Sequence, residues 1–313
     1  MVDLESSQSA AKDQAGSGSA TTRYHQYKIL ISGKPVRIAE HLHRLMQGFL
    51  QATVQLYHQT LLASIQSFIR AWILIPVLMV FALSLVIVTS LLAPLGMIGG
   101  FILGALNALV IGATLSLTEQ AVLGARRVTW QDVPHSMGQY FWDVISVGFM
   151  VWFPLLFLEM GLQANPYQPL IATAVFFLIF VLLNPVPEVI YQSRSGSALE
   201  AIRESYEFVV ENWIEWFLPA AIAFAPFGLT FFFQMSSQAG RRGGLDFWHL
   251  ISLPFTVLSE WLAFLGMSSD ISFLVVLVLT PIVTVFMLLF RGHLFAALHR
   301  SSRRQRMFQS RTS

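Results

Sequence analysis

Cysteine is absent from the 313 residues of this chain, and charged residues are scarce. Without thiols there are no disulfides, no thiolate metal sites and no cysteine nucleophiles. Charged residues make up 12% of the chain, whereas a soluble domain carries about 25%. Hydrophobic residues make up 55%, with 26 Phe among them. A soluble fold could not cover this much apolar surface, so the composition indicates a membrane protein.

Net charge is also small, and the apolar runs are long. Nineteen Lys and Arg oppose 17 Asp and Glu, a balance that argues against a nucleic-acid partner. Residues 71–118 hold no charged side chain, although about 20 apolar residues suffice to cross a bilayer. The Ala93–Gly96 break divides this run, because Pro and Gly interrupt a helix. We therefore predict a helical hairpin there.

The same criteria predict an all-α polytopic membrane protein with about six transmembrane helices. The predicted spans are residues 71–92, 97–117, 140–158, 169–187, 216–233 and 271–290. Residues 247–267 are apolar but contain His249, Pro254 and Glu260. We interpret this segment as an outer interfacial or re-entrant helix.

The distribution of positive charge predicts the orientation. With six spans and an internal N-terminus, 17 of the 19 Lys and Arg lie on one side, and Arg241 and Arg242 lie on the other. Positive residues favour the cytoplasmic side. We expect a multi-pass protein of the cytoplasmic (inner) membrane with both termini in the cytoplasm.

Regions outside the spans complete the predicted organisation. Residues 1–22 have the composition of a disordered tail and lack the apolar core of a signal peptide. Residues 23–70 form a cytoplasmic amphipathic helical region, residues 71–290 the membrane domain, and residues 291–313 a basic cytoplasmic tail.

Two apolar stripes at helical spacing are related by an offset of 69 residues. The first is Trp130, Val133, Met137, Tyr140 and Val144, and the second is Leu199, Ile202, Tyr206, Val209 and Trp213. Ser136 likewise corresponds to Ser205. Leu42, Leu45, Phe49, Ala52 and Leu56 repeat the spacing before the first span. The pattern predicts three parallel repeats of an amphipathic helix followed by a membrane hairpin.

This arrangement, with segments such as Ser197-Ala198-Leu199-Glu200-Ala201-Ile202 leading into hairpins, resembles poorly characterised bacterial multi-span proteins. They include the membrane domain of some glycerophosphodiester phosphodiesterases. The resemblance covers roughly residues 70–300 and concerns architecture. The soluble catalytic domain of those enzymes has no counterpart in this chain, so the resemblance implies no catalytic residue.

Small residues recur at every fourth position of the second predicted span. The stripe consists of Gly96, Gly100, Gly104, Ala108, Gly112 and Ser116. Small residues allow the backbones of membrane helices to approach closely. We expect a helix-packing surface, either within the chain or against another copy.

Polar groups in or beside the spans are the candidate binding residues. Asn107 lies inside the second span, and Asn184 and Glu188 flank two prolines at the end of the fourth. Asn107 is expected to form an interhelical hydrogen bond. An unwound helix end can coordinate a cation or substrate, and prolines also simply end helices. Both interpretations of Asn184 and Glu188 stay open.

Charged surfaces outside the membrane offer a second kind of candidate. Arg300, Arg303, Arg304 and Arg306 form a basic tail, and Glu200, Glu204, Glu207 and Glu211 form an acidic ridge on one helix face. The tail could contact anionic lipid, at about 1 kcal/mol per residue. It could also pair with the ridge, or both could be ordinary solvated charge.

The sequence contains no recognisable catalytic, metal-binding or cofactor-binding motif. HExxH, GxSxG, Walker and dinucleotide patterns are missing. A lipid-modifying enzyme would have to use Asp132, His135 and Asp143, or His249, Glu260 and Asp270.

We therefore expect a non-catalytic scaffold, assembly or lipid-associated component without a cofactor. Its partners are the bilayer, anionic lipids and another membrane protein or a second copy. The alternative is a permease for a neutral or lipophilic solute. A membrane-bound lipid-modifying enzyme is the third.

Overall fold

The computed structural model describes residues 34–124, 127–163, 165, 167–194, 196–224 and 259–299. The regular elements of these ranges are helices: α1 Lys34–Arg70, α2 Leu74–Leu92, α3 Gly96–Leu123, α4 Asp132–Ser136, α5 Phe141–Leu162, α6 Gln168–Leu182, α7 Val186–Ser193, α8 Ala198–Phe224 and α9 Ser269–His299. Residues 259–264 are also helical. The all-α prediction is confirmed for the described residues.

Four segments of the described chain are long and apolar enough to cross a membrane. They are Leu74–Leu123, Phe141–Leu162, Leu170–Ser193 and Asp270–His299. The first contains both α2 and α3, which meet at a turn where Gly96 has φ +55°, a conformation that glycine adopts without a steric penalty. Of the predicted fifth span, the structure describes residues up to Phe224. The count of six spans stays a prediction.

The chain forms two compact units, one of residues Gln55–Ser302 and one of residues 1–54 with 303–313. In the smaller unit the described residues are 34–54, the first part of α1. All sites discussed below lie in the larger unit.

Helix α3 is the centre of the larger unit and contacts α2, α5, α7 and α9. Leu74 and Phe81, early in α2, share a buried cluster with Ala113 and Ala121, late in α3. The two helices are therefore antiparallel. A second cluster joins Val189 of α7, Phe208 of α8 and Phe295 of α9. Both clusters lie at the bundle end where α2 and α5 begin and α3 and α9 end.

Helix α5 contributes no residue to the protein core. None of its residues is buried, and Pro154 lies inside it. Among the described residues, α5 and α6 do not pack extensively on each other, and each packs on α8 instead. Phe149, Phe153 and Phe157 stack along its exposed surface.

Candidate functional site at the helix ends

Charged side chains from three helices meet near the end of α3, along the short helix α7 and in the last third of α9. We call the group of Glu119, Tyr140, Glu188, Arg194 and Arg291 the helix-end polar layer. Both of its glutamates are buried. An ionised carboxylate is stable in such surroundings only when it is paired and hydrogen-bonded, so the partners of each glutamate decide what the layer can do.

Glu188 is held by a bidentate pair with Arg291. Arg291 Nε donates to Glu188 Oε1 over 2.8 Å, and Nη2 donates to Oε2 over 2.9 Å. The Glu188 side chain is 3% exposed and that of Arg291 is 30% exposed. Bidentate arginine–carboxylate pairs are geometrically specific as well as strong. The pair thus joins the last third of α9 to the start of α7.

The break between α6 and α7 supplies a further acceptor for Arg291. Pro185 and Pro187 lie at the start of α7, and proline cannot donate a helical hydrogen bond. Asn184 lies in the turn before them, and its carbonyl accepts from Arg291 Nη2 over 2.6 Å. Asn184 Oδ1 accepts from Trp216 Nε1 over 2.9 Å. The Arg291 guanidinium lies 5.2 Å from the ring centre of Trp216, within the range of a cation–π interaction.

Glu119 has three donors around its carboxylate. Tyr140 OH donates to Oε2 over 2.7 Å, and Gln139 Nε2 donates to the same atom over 3.3 Å. Arg194 Nη2 donates to Oε1 over 2.8 Å. Tyr140 and Gln139 are thus neutral donors to this carboxylate, and Arg194 supplies the opposite charge.

Arg194 differs from Arg291 in its exposure and its backbone. Its side chain is 72% exposed, and its φ of 50° is the left-handed conformation. Such a residue commonly ends a helix, usually as glycine. The hydrogen bond to the Glu119 carboxylate, followed by its charge, raises the pKa of the Arg194 guanidinium.

Close packing joins the two pairs. A Cβ built on Gly292 would lie 2.6 Å from Tyr191 OH and 2.7 Å from Val122 Cγ2. Gln192 Nε2 donates to the Gly292 carbonyl over 2.8 Å. The ends of α3, α7 and α9 thus touch at this glycine, and no larger residue fits without displacement.

The predicted small-residue stripe has two different halves in the structure. A Cβ on Gly112 would lie 3.1 Å from Phe141 N and Tyr140 C, and Ser116 Oγ donates to Gln139 Oε1 over 2.6 Å. Ala108 is buried. A Cβ on Gly96, Gly100 or Gly104 would instead meet no neighbouring atom within 4 Å. Close packing is confined to the half nearest the helix-end polar layer.

The other candidate residues are scattered. Asn107 Nδ2 donates to Leu103 O of its own helix over 3.1 Å, whereas we expected an interhelical bond. Asp132 Oδ2 accepts from Thr129 N over 2.8 Å, and His135 bonds Gln131 O over 2.8 Å. Arg300, Arg303, Arg304, Arg306 and His249 lie outside the described residues.

Three glutamates of the acidic ridge have contacts with other residues of the larger unit. Glu204 accepts from Ser193 Oγ and lies 3.5 Å from His299 Nε2. Glu207 pairs with Arg203 of the preceding turn over 2.8 Å. Glu200 accepts from Gly196 N over 3.2 Å.

No match was found among protein-family models, curated proteins or solved structures. The chemistry of the layer is therefore argued from its geometry alone.

Within the described ranges, no three His, Asp or Glu side chains converge as metal ligands would. Both carboxylate oxygens of Glu119 and of Glu188 face a donor from another part of the chain. The arrangement is suited to holding helix ends together.

Sequence reasoning found Asn184 and Glu188 but missed Glu119, Tyr140, Arg194 and Arg291. A signal for Glu119 was present, because it precedes Glu188 by 69 positions, the offset that relates the two amphipathic stripes. Val122 and Tyr191, which both contact the Gly292 position, have the same offset. The arginines gave no such signal, since their pairings depend on tertiary contacts.

Proposed function

We propose that this protein is a non-catalytic integral membrane scaffold that presents α5 to another membrane protein or a second copy. We place it in a cytoplasmic membrane with six spans and both termini inside. The observation that carries the proposal is the contrast between the two ends of α5. Its start is held at the end of the bundle that contains the helix-end polar layer, which we call the base of the bundle, while no residue of the helix is buried and large aromatic side chains along it are exposed.

The fixed end of α5 supports this proposal. Tyr140, directly before α5, bonds Glu119, and the backbone at Phe141 packs against Gly112. In lipid, helices associate through close packing and polar contacts, because the hydrophobic effect does not drive one apolar helix onto another. The contacts at Tyr140 and Phe141 therefore fix the position of the start of α5.

The exposed length of α5 supplies the surface. Its apolar window has 0% of its residues buried, against 28% for the window in Asp270–His299. Exposed aromatic side chains follow its length, namely Trp142, Phe149, Trp152, Phe153 and Phe157. Aromatic residues contribute large contact areas in interfaces. Lipid alone requires no such arrangement, so we expect a partner helix here.

Photo-cross-linking in native membranes tests the proposal. A photoreactive phenylalanine analogue replaces Phe149 or Phe157 in α5, and Val80 or Leu83, exposed in α2, as matched controls. We expect one discrete protein adduct from the α5 positions and lipid adducts from α2. A single cysteine at Phe157, in a chain without other cysteines, then distinguishes a second copy by disulfide formation. Lipid adducts alone at all four positions would refute the scaffold.

One observation favours the permease alternative. Helices α5 and α6 both pack on α8 and do not pack extensively on each other, and Pro154 permits bending of α5. A permease predicts faster osmotic swelling of proteoliposomes in glycerol or urea than of empty liposomes. The scaffold predicts equal rates. The basic tail remains a proposed contact for anionic lipid in either case.

A further inference from the structure

Three segments outside the apolar helices carry exposed apolar side chains at helical spacing. Helix α8 shows the pattern most clearly, because its first half has three distinct faces. The buried face includes Ala201, Ser205, Phe208 and Asn212. The acidic face holds Glu200, Glu204, Glu207 and Glu211. The third face, which we call the α8 stripe, consists of Leu199, Tyr206, Val210 and Trp213.

The α8 stripe is not part of the protein core. Its four side chains are 50–63% exposed, and they repeat at intervals of seven, four and three residues along the helix. Four large apolar groups on one face of an otherwise charged helix are characteristic of a helix that lies in a membrane interface. The stripe ends at Trp213, beside the kink.

The kink connects the stripe to an apolar segment. Asn212 has non-helical dihedral angles, φ −125° and ψ 19°, and its Nδ2 donates to Phe208 O over 3.2 Å. Before it α8 is amphipathic, and after it the helix is apolar except for the buried Glu215. A helix that lies along the membrane surface and then enters the bilayer requires such a change of direction. Tryptophan at this junction fits the preference of Trp for the interface.

The second segment has the same burial pattern. Trp130 and Met137, which correspond to Leu199 and Tyr206 at the 69-residue offset, are also exposed. Ser136 and Ser205 are both fully buried. These three pairs of related positions thus agree in exposure, whereas Val144 is partly buried and its counterpart Trp213 is exposed.

The third segment is the end of α1. Leu62, Ile65, Ile69 and Trp72 are exposed at intervals of three, four and three residues. Trp72 stands directly before α2, as Trp213 stands before the apolar half of α8. A lipid headgroup layer accepts any exposed amphipathic face at its depth, whereas a single protein partner would have to contact each of the three segments.

We propose that the α8 stripe, together with the exposed faces of α1 and the Trp130–Met137 segment, lies in the phospholipid headgroup layer of the membrane that the spans cross. The glutamates of α8 lie on a different face of the helix from the α8 stripe. The inference rests on the proposed membrane location. It adds three surface contacts that anchor the base of the bundle.

Nitroxide labels on single cysteines test this inference in phosphatidylcholine proteoliposomes, since the native chain has no cysteine. Collision rates are measured with oxygen, which partitions into lipid, and with a water-soluble nickel chelate. Labels replace stripe residues Leu199, Tyr206 and Val210, control residues Glu200, Glu207 and Glu211, and membrane controls Val80 and Val86. All eight side chains are exposed, so these substitutions leave the core unchanged.

A headgroup location predicts a several-fold higher oxygen-to-nickel ratio at the stripe than at the glutamates, and a lower ratio than at the α2 positions. A stripe as accessible to nickel as the glutamates would overturn the inference. So would low collision rates with both reagents, which would indicate a covering protein. A low ratio at Val80 and Val86 would instead contradict the membrane location itself.

Discussion

Replacing Arg291 with alanine is expected to reduce the free energy of unfolding by about 3–5 kcal/mol, the usual cost of leaving one charge of a buried pair unpaired. Glu188, with a side chain 3% exposed, would lose both of its arginine hydrogen bonds. The Asn184 carbonyl would lose its donor as well. The loss is measured as the change in unfolding free energy in detergent micelles, followed by near-ultraviolet circular dichroism.

Arg194→Ala is the matched control for this variant. Arg194 also pairs with a buried glutamate, but its own side chain is 72% exposed, and Glu119 keeps Tyr140 and Gln139 as donors. We expect a loss of at most about 1 kcal/mol, as for exposed pairs. Equal losses for the two alanine variants would show that the Arg291 pair does not fasten α9 to α7.

A double substitution separates the effect of charge from that of shape. Glu188→Met with Arg291→Met removes both charges and keeps much of the volume. Replacing a buried ion pair with apolar residues is often neutral. We expect the double variant to regain most of the stability lost in Arg291→Ala, with the remaining deficit due to the Asn184 and Trp216 contacts.

Gly112→Val is the second substitution with a large expected effect. The first added carbon would lie 3.1 Å from backbone atoms of Tyr140 and Phe141, and backbone cannot rotate away as a side chain can. Overpacking of this kind costs about 1–3 kcal/mol. Displacement of Tyr140 would also disturb its bond to Glu119. Thermal unfolding in the same micelles measures the loss.

Gly104→Val provides the control on the same helix face. No atom lies within 4 Å of a Cβ at Gly104, and valine has a somewhat better helix propensity than glycine. We expect unchanged or slightly higher stability. Equal destabilisation at both positions would contradict the division of the small-residue stripe into a packed and an open half.

The sequence allowed local features to be predicted well. The break at residues 93–96 follows from Pro94 and Gly96, and the structure places a turn there with Gly96 at positive φ. The break before Glu188 follows from Pro185 and Pro187 in the same way. Both depend on backbone chemistry within a few residues, and such chemistry can be read directly from the sequence.

Pairings between distant residues could not be predicted. Arg291 was expected directly after the sixth span, but α9 continues to His299 and places Arg291 inside the helix. Its partner Glu188 lies 103 positions away. A hydropathy pattern ends at the first charge whether or not the helix does, and it contains no information about which side chain neutralises that charge.

The amphipathic stripes were predicted in position but not in environment. Tyr140 and Val209 are buried, while Trp130 and Leu199 of the same stripes are exposed. Periodicity shows that one face is apolar, but protein and lipid both accept an apolar face. The packing of neighbouring helices decides which residues of a stripe contact protein and which remain exposed.

A distance measurement between two nitroxide labels tests most directly whether the buried glutamates hold the base of the bundle rigid. Labels at Gln131 and Ser197, both exposed, report the separation of the segments that follow α3 and α7. In lipid nanodiscs the scaffold predicts a single narrow distance distribution, and the double variant Glu119→Gln with Glu188→Gln is expected to broaden it. Two distances in the native protein, or an unchanged distribution in the variant, would contradict a rigid base fastened by its buried glutamates.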